Sequence, residues 1–295
     1  ARATRVPSVI QESFPGYHGV AWYWLEFTAQ LLAYTAAGRY LLRFHAVDYL
    51  AEVWLNGTSL GAHEGGETPF TFDVTDTIRP GATNYLSVRV LNPKNEAIDG
   101  IVLAETPHRN KVIKYQPGNL YDFGGIISPV ELYQTPAVRL TDLYADPDWK
   151  TGSVQIQAAT HNSLKQASHA RLHFVITERA NGQTVLTDSI EVVMPSGNSV
   201  VQHQVTIKDH RLWQLDDPHL YRLSVAIEAE GVDGAFEDFR YFGFRDFRVV
   251  NGYFHMNGKR LFLRCTHTGN HVPFGQVVPP SGHADMLRRD ILYAK

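Results

Sequence analysis

The run Asp48-Tyr-Leu-Ala-Glu-Val-Trp-Leu-Asn-Gly57 sets the architecture of the first half of the chain. Residues 50–55 are rich in β-formers, and the Asn56-Gly57 pair after them suits a two-residue type I′ turn, whose central residues both need positive φ. Working outward, 40–46 and 69–74 are further short β-rich runs, so antiparallel strands are expected here. A strand at 85–91 precedes a stretch from Asn92 to Gly125 with little periodicity, after which 126–133 reads as strand again. Connections of that length are uncommon inside compact domains, and Tyr115, Tyr121 and Phe123 within it argue against disorder. Residues 1–135 therefore read as one antiparallel β-sandwich of the jelly-roll kind.

Beyond Thr135-Pro136 the texture changes to runs at 154–158, 170–176, 185–193, 200–207 and 220–229, with a second turn pair at Asn181-Gly182 and no long loops. Strands at this spacing suggest an immunoglobulin-like β-sandwich over 136–247. Further on, 253–256 and 260–264 make an expected strand pair about Asn257-Gly258, and 285–295 begins a helix with Leu287 and Ile291 one turn apart on one face. A strand followed by a helix is half of a βαβ unit, which buries its apolar face only against a parallel partner strand. Residues 248–295 thus read as the start of a third domain, truncated at Lys295 in mid-helix.

A length of 295 residues accommodates two or three domains, and 44% hydrophobic with 19% charged residues is a globular composition. No apolar run reaches membrane-spanning length. The net charge is −3 with basic residues scattered, so neither a nucleic acid nor a membrane is an expected partner. The single cysteine, Cys265, excludes an internal disulfide, and its apolar neighbours at 261–263 suggest a buried, inert thiol. Residues 1–7 carry neither the basic start nor the apolar core of an export signal.

Three ordered series of motifs then stand out. The first is Gly19-Val-Ala-Trp-Tyr-Trp24, the run 48–57, His63-Glu-Gly-Gly66, Pro69-Phe-Thr-Phe-Asp-Val-Thr75 and Gly124-Gly-Ile126. The second is Leu212-Trp-Gln-Leu-Asp-Asp-Pro-His-Leu-Tyr-Arg-Leu223. The third is Gly243-Phe-Arg245 with Phe254-His-Met-Asn-Gly-Lys-Arg-Leu-Phe-Leu-Arg264. Taken in order, over essentially the whole chain, they resemble glycoside hydrolase family 2: its sugar-binding jelly roll, the last strands of its immunoglobulin-like domain, and the opening of its (β/α)8 barrel. The resemblance implies a mainly β chain, a jelly-roll β-sandwich followed by an immunoglobulin-like β-sandwich and then the first strand and helix of a truncated (β/α)8 barrel.

It also implies that the intact protein hydrolyses O-glycosidic bonds of a β-linked sugar with retention, which needs a protonated acid and a carboxylate nucleophile on a rigid frame. In the family both are glutamates on later barrel strands. The catalytic glutamates are therefore expected beyond Lys295, none within this sequence, and the chain by itself is expected to be inactive. Asn95-Glu96 mimics the family's acid/base dipeptide but sits in a Pro-flanked loop of the first sandwich. The alternative reading is a non-catalytic carbohydrate-binding protein. No cofactor is implied by these residues, a metal ion in the rest of the barrel stays open, and so does a homo-oligomer.

Two places are expected to touch sugar. In the family the segment after the first barrel strand lies at the barrel mouth, and here it reads Thr266-His-Thr-Gly-Asn-His271. His267, Asn270 and His271 offer donors and acceptors for hydroxyls, although the segment departs from the family's usual Asn-Arg-His-Glu-His. The His267 and His271 spacing would suit a metal, but a third ligand is lacking. In some members the long jelly-roll loop also reaches the pocket, and Asn119, Tyr121 and Asp122 set an aromatic face beside an amide and a carboxylate, as a pyranose requires. His108, Arg109 and Lys111 in the same loop would favour an acidic sugar. Structural roles are expected elsewhere: Trp22, Trp24, Trp54 and Phe72 in the core, Gly65, Gly66, Gly124 and Gly125 where side chains would block a turn, Asp48 and Glu64 accepting backbone N–H bonds.

Overall fold

Along residues 50–55 every second side chain is buried, Ala51, Val53 and Leu55 lying inside while Leu50, Glu52 and Trp54 remain partly open. This is the period of a strand with one face on a core, and it recurs through the chain. The computed structural model describes residues 1–31, 37–109, 111–114, 120–265 and 291–294, Leu120 by its backbone alone. The described residues are mainly β and fall into two units, one drawn chiefly from Ala1–Leu31 and Tyr40–Tyr133, the other from Gln134–Arg264.

The first unit contains a short helix α1 (Ile10–Ser13) and strands β1 (Gly19–Thr28), β2 (Arg39–Phe44), β3 (Val47–Asp48), β4 (Leu50–Leu55), β5 (Thr58–Glu64), β6 (Phe70–Asp73), β7 (Thr83–Asn92), β8 (Lys111–Val112), β9 (Leu120–Tyr121), β10 (Gly125–Ile126) and β11 (Val130–Thr135). One antiparallel sheet runs β1-β7-β4-β5 and another β11-β2-β6; β3 pairs with β10, and β8 with β9 in parallel. A ring contact joins the two larger sheets: Phe70 of β6 stacks on His63 of β5 at 4.3 Å, and within its own sheet on Phe44 of β2 at 5.0 Å. The Asn56-Gly57 turn has the expected positive φ values of 52° and 84°, and β4 and β5 form its hairpin.

The second unit contains β12 (Val138–Pro147), β13 (Ser153–Asn162), β14 (Ser168–Glu178), β15 (Thr184–Met194), β16 (Gly197–Thr206), β17 (Tyr221–Ala229), β18 (Ala235–Phe242), β19 (Phe247–Val250), β20 (Tyr253–Met256) and β21 (Lys259–Arg260). Sheets β12-β13-β16 and β15-β14-β17-β18 share one core, in which Ile156, Leu172, Phe174, Leu223 and Val225 are inaccessible or nearly so. β12 and β18 escape a sequence reading for physical reasons. A register shift between Leu140 and Asp142 breaks the alternation of β12, and β18 is an edge strand whose outward positions include Glu237 and Tyr241.

Three expectations change. The second strand about Asn257-Gly258 is only Lys259–Arg260, and β20 pairs on its other side with β19. Cys265 is exposed rather than buried, because an apolar run buries a thiol only under a second layer, and Phe262 beside it is 84% exposed. Of the helix at 285–295, residues 291–294 are helical, and the rest, Lys295 included, lies outside the described residues.

Phe174 is fully buried, so Phe174→Ala removes transfer energy and leaves a cavity. The variant is expected to lose about 3–5 kcal/mol in urea unfolding of the second unit; a loss below about 1 kcal/mol would contradict the packing described.

Candidate functional site

Four strand ends converge in the first unit. Gly19 at the start of β1 faces Asn92 at the end of β7, and Asp48 at the end of β3 faces Gly125 of β10. Each strand end brings one polar side chain, and each is buried: His18, Asp48, Asn92 and Asp122. The close approach depends on glycine. A Cβ on Gly66 would lie 2.6 Å from the Asp48 carboxyl carbon, and one on Gly124 would sit on the Asn92 amide.

Into this cluster runs the connection between β7 and β10. Lys111 of β8 forms an ion pair with Asp48, both side chains under 10% exposed at 9% and 8%, and its ammonium also donates to the Phe123 carbonyl at 3.3 Å. His108 Nδ1 lies 3.3 Å from the second Asp48 oxygen but is misaligned for a hydrogen bond. His18 Nδ1 is 3.1 Å from the Asp122 carboxylate, and the Asn92 amide donates weakly to the Asp122 carbonyl at 3.4 Å. Burial pushes the Asp122 carboxyl up, against the His18 hydrogen bond and the charge of Lys111, which pull it down. Four buried atoms of the cluster, His18 Nε2, Asn92 Oδ1, Asp48 Oδ1 and His108 Nδ1, have no hydrogen-bond partner among the described residues.

Tyr121 stands over this cluster. Its ring packs 5.8 Å from His18 and 4.7 Å from Phe123, and β9 holds its backbone against Val112. It is partly open, whereas Asp122 beside it is 1% exposed. Of the residues expected to touch sugar, the structure thus brings Tyr121 and Asp122 together with opposite aspects, and Asn119, His267, Asn270 and His271 lie outside the described residues. The case for an acidic sugar weakens, since Lys111 and His108 turn inward to Asp48. Asp48 and Glu64 do tie loops, but through side chains: Glu64 accepts from the Tyr49 hydroxyl at 2.6 Å, whose pKa burial and that carboxylate push up to about 12.

The partners that sequence reasoning missed are His18, Asn92 and the Lys111–Asp48 pairing. For His18 and Asn92 the available signal was positional: a polar residue at the end of an apolar run, directly beside a glycine or a proline. Trp22 and Trp24 are a correction of another kind. They are 43% and 67% exposed, because Tyr23 and Phe27 take the side of β1 that meets Leu42, Phe44 and Leu132, and alternation turns the indoles outward. No group of three or more histidine, cysteine or acidic residues among the described residues is placed to hold a metal ion.

Residues 4–136 match the family model "Glycosyl hydrolases family 2, sugar binding domain", and 138–245 the model "Glycosyl hydrolases family 2". The chain belongs to glycosyl hydrolase family 2. It is 28% identical to a beta-galactosidase of Thermoanaerobacter pseudethanolicus over 93% of this chain and 35% of that protein. It is 26% identical to a beta-glucuronidase of Bacteroides fragilis, covering 84% of this chain and 35% of the relative. The fold is similar to that of Bacteroides uniformis beta-glucuronidase, with a TM-score of 0.75 at 21% identity over 99% of this chain and 34% of that one. The chain spans about a third of the length of these relatives.

Two outcomes are expected of this family 2 cluster. Lys111→Met strands a buried carboxylate at Asp48 and should cost about 3–5 kcal/mol, while Lys111→Met with Asp48→Asn should recover part of that; equal losses for the single and double variants would show that the pair is not coupled. For Asp122 the raised folded pKa means that the folded chain holds the proton more tightly than the unfolded one. Its contribution to stability is therefore fully present below the unfolded value of 3.8 and is lost as pH rises through the folded value. The melting temperature of Asp122→Asn minus that of the parent should accordingly rise as the pH is raised above the unfolded value of 3.8, and a fall would reverse the assignment.

Proposed function

We propose that the intact protein is a glycosidase that cleaves a β-linked sugar by double displacement with retention, and that this chain supplies scaffold and pocket-framing loops. The observation that carries this reading is the match to two family 2 models in order along one chain. The finer layout proposed with it is a jelly-roll sandwich over 1–135, an immunoglobulin-like sandwich over 136–247 and the opening of a (β/α)8 barrel over 248–295.

Retention requires two carboxyl groups about 5–5.5 Å apart that can reach the substrate. Asp48 and Asp122 do not fit that role: one is bound to Lys111 and the other to His18, and both are buried. The acid and the nucleophile remain those that the family resemblance implies, two glutamates beyond Lys295 in the intact protein. Tyr121 is proposed as the pocket contact, its ring taking the C–H face of a pyranose. Asp122 is a positioning residue that holds His18 beneath that ring. The unpaired His18 Nε2 and Asn92 Oδ1 are buried polar atoms that an internal water would satisfy. Asn119, and His267, Asn270 and His271, complete the proposed set of substrate contacts. Relatives include both beta-galactosidases and beta-glucuronidases, so the sugar is left to the assay.

The test uses the full-length protein on nitrophenyl β-galactoside, β-glucuronide and β-mannoside, with the anomer of the first-formed product followed by NMR. Hydrolysis of one of the three with the β-anomer appearing first is expected, and none from residues 1–295 alone. Release of the α-anomer would overturn retention, and no release from any of the three would overturn the glycosidase. Tyr121→Ala is expected to raise KM about tenfold or more; an unchanged KM would remove Tyr121 from the pocket.

A further inference from the structure

The outward side of the β1-β7-β4-β5 sheet carries an aromatic cluster remote in character from the charged cluster around Asp48. Antiparallel register places Trp24 of β1 and Trp54 of β4 on either side of Ser87 of β7, and Trp22 and Glu52 on either side of Arg89. The small Ser87 leaves room for the indoles to close over the middle strand. Trp22 lies 5.3 Å from Trp54, and Trp22 and Trp24 are parallel within 9° at 6.2 Å. Tyr85, one step further along β7, is 53% exposed. Core packing accounts for none of this, since Trp24 is 67% and Trp22 43% exposed.

Beside the rings stands a fixed polar group. Arg89, only 16% exposed at its side chain, is held by Glu52 at 2.5 Å and by Asp99 from the β7–β8 connection. Asp99 is 57% exposed and Glu52 35%, so both carboxylates keep faces toward water. Trp22, Trp54, Glu52, Arg89, Asp99 and Leu50 together line a shallow depression.

We propose that this face is a carbohydrate-binding surface, distinct from the contact at Tyr121, that takes a neutral pyranose chain. Sugar rings lay their C–H faces on the exposed indoles, and their hydroxyls donate to the outer oxygens of Glu52 and Asp99. Two carboxylates against one guanidinium leave the group with a net negative charge, which disfavours uronates and sulfated glycans. A protein partner fits less well. Pressing an apolar surface here would strip water from the Glu52–Arg89–Asp99 network, whereas hydroxyls replace that water in kind. The proposal does not depend on the glycosidase reading, because no catalytic group takes part.

The test is affinity electrophoresis of the 295-residue chain in native gels containing β-1,4-galactan, mixed-linkage β-glucan, galactomannan or polygalacturonate. Retardation by at least one neutral polysaccharide and none by polygalacturonate is expected. Trp22→Ala with Trp24→Ala should weaken binding about tenfold or more, and Tyr144→Ala, at an exposed ring of the second unit, should leave it unchanged. If the double variant loses its fold by circular dichroism, Trp24→Ala alone, at the most exposed ring, decides in its place. The proposal fails if no neutral polysaccharide retards the chain, or if the tryptophan variants bind as the parent does. It fails also if the parent self-associates in sedimentation while the tryptophan variant is monomeric and neither binds glycan, which would make the face a protein interface.

Discussion

Burying a lysine is unfavourable by several kcal/mol unless a carboxylate meets it, and Lys111 meets Asp48 where Asp48 lies against Gly66. That contact determines where the connection between β7 and β10 runs. With Lys111 fixed at the end of β3, the parallel pairing of Lys111–Val112 with Leu120–Tyr121 sets the backbone of Tyr121, and the Asp122 amide closes on the Val112 carbonyl at 2.9 Å. Asp122 then has a single direction left for its carboxylate, into His18. The position of the Tyr121 ring is therefore a consequence of a charge pair that never reaches the surface.

The strands that were legible in the sequence are those whose buried face alternates without a break. Residues 50–55 and 170–176 show Ala51, Val53 and Leu55, or Ala170, Leu172, Phe174 and Ile176, all buried on one side, and the Asn-Gly pairs marked the turns at Asn56 and Asn257 because positive φ is rarely open to other residues. Alternation says that two faces differ, not which one is inside. For β1 the aromatic content pointed the wrong way: Trp22 and Trp24 are the larger rings, but Tyr23 and Phe27 have the opposing sheet in front of them. Which face is covered is a property of the partner sheet, and a single strand carries no record of it.

The candidate cluster was less legible for a related reason. Tyr121 and Asp122 could be singled out by residue type, but their partners come from His18 and Asn92, separated from Asp122 by 104 and 30 positions. Polar residues at strand ends are ordinarily solvated, so nothing local distinguishes Asp48, buried and paired, from Asp73, whose carboxylate accepts from the nearby Thr75 hydroxyl at 2.7 Å in an exposed turn. The glycines do distinguish them. Gly66 and Gly124 each stand where a Cβ would collide with a buried polar side chain, so in this chain glycine next to a strand end reports a close approach as well as a turn.

The connection between β7 and β10 is also pinned on the other side of the sheet. It leaves β7 at Asn92, sends Asp99 to Arg89 on the outward face, and only then turns inward to deliver Lys111 to Asp48. Arg89 and Asn92 stand three residues apart on the same strand and face opposite ways, so the strand transmits both anchors rigidly. One segment thus contributes a carboxylate to the tryptophan face and the ring of Tyr121 to the buried cluster. Loosening Asp99 frees its end of the connection without exposing a buried charge, whereas loosening Lys111 leaves Asp48 uncompensated in the interior. The outward anchor is the weaker of the two, and the shape of the segment near Tyr121 follows the inward one.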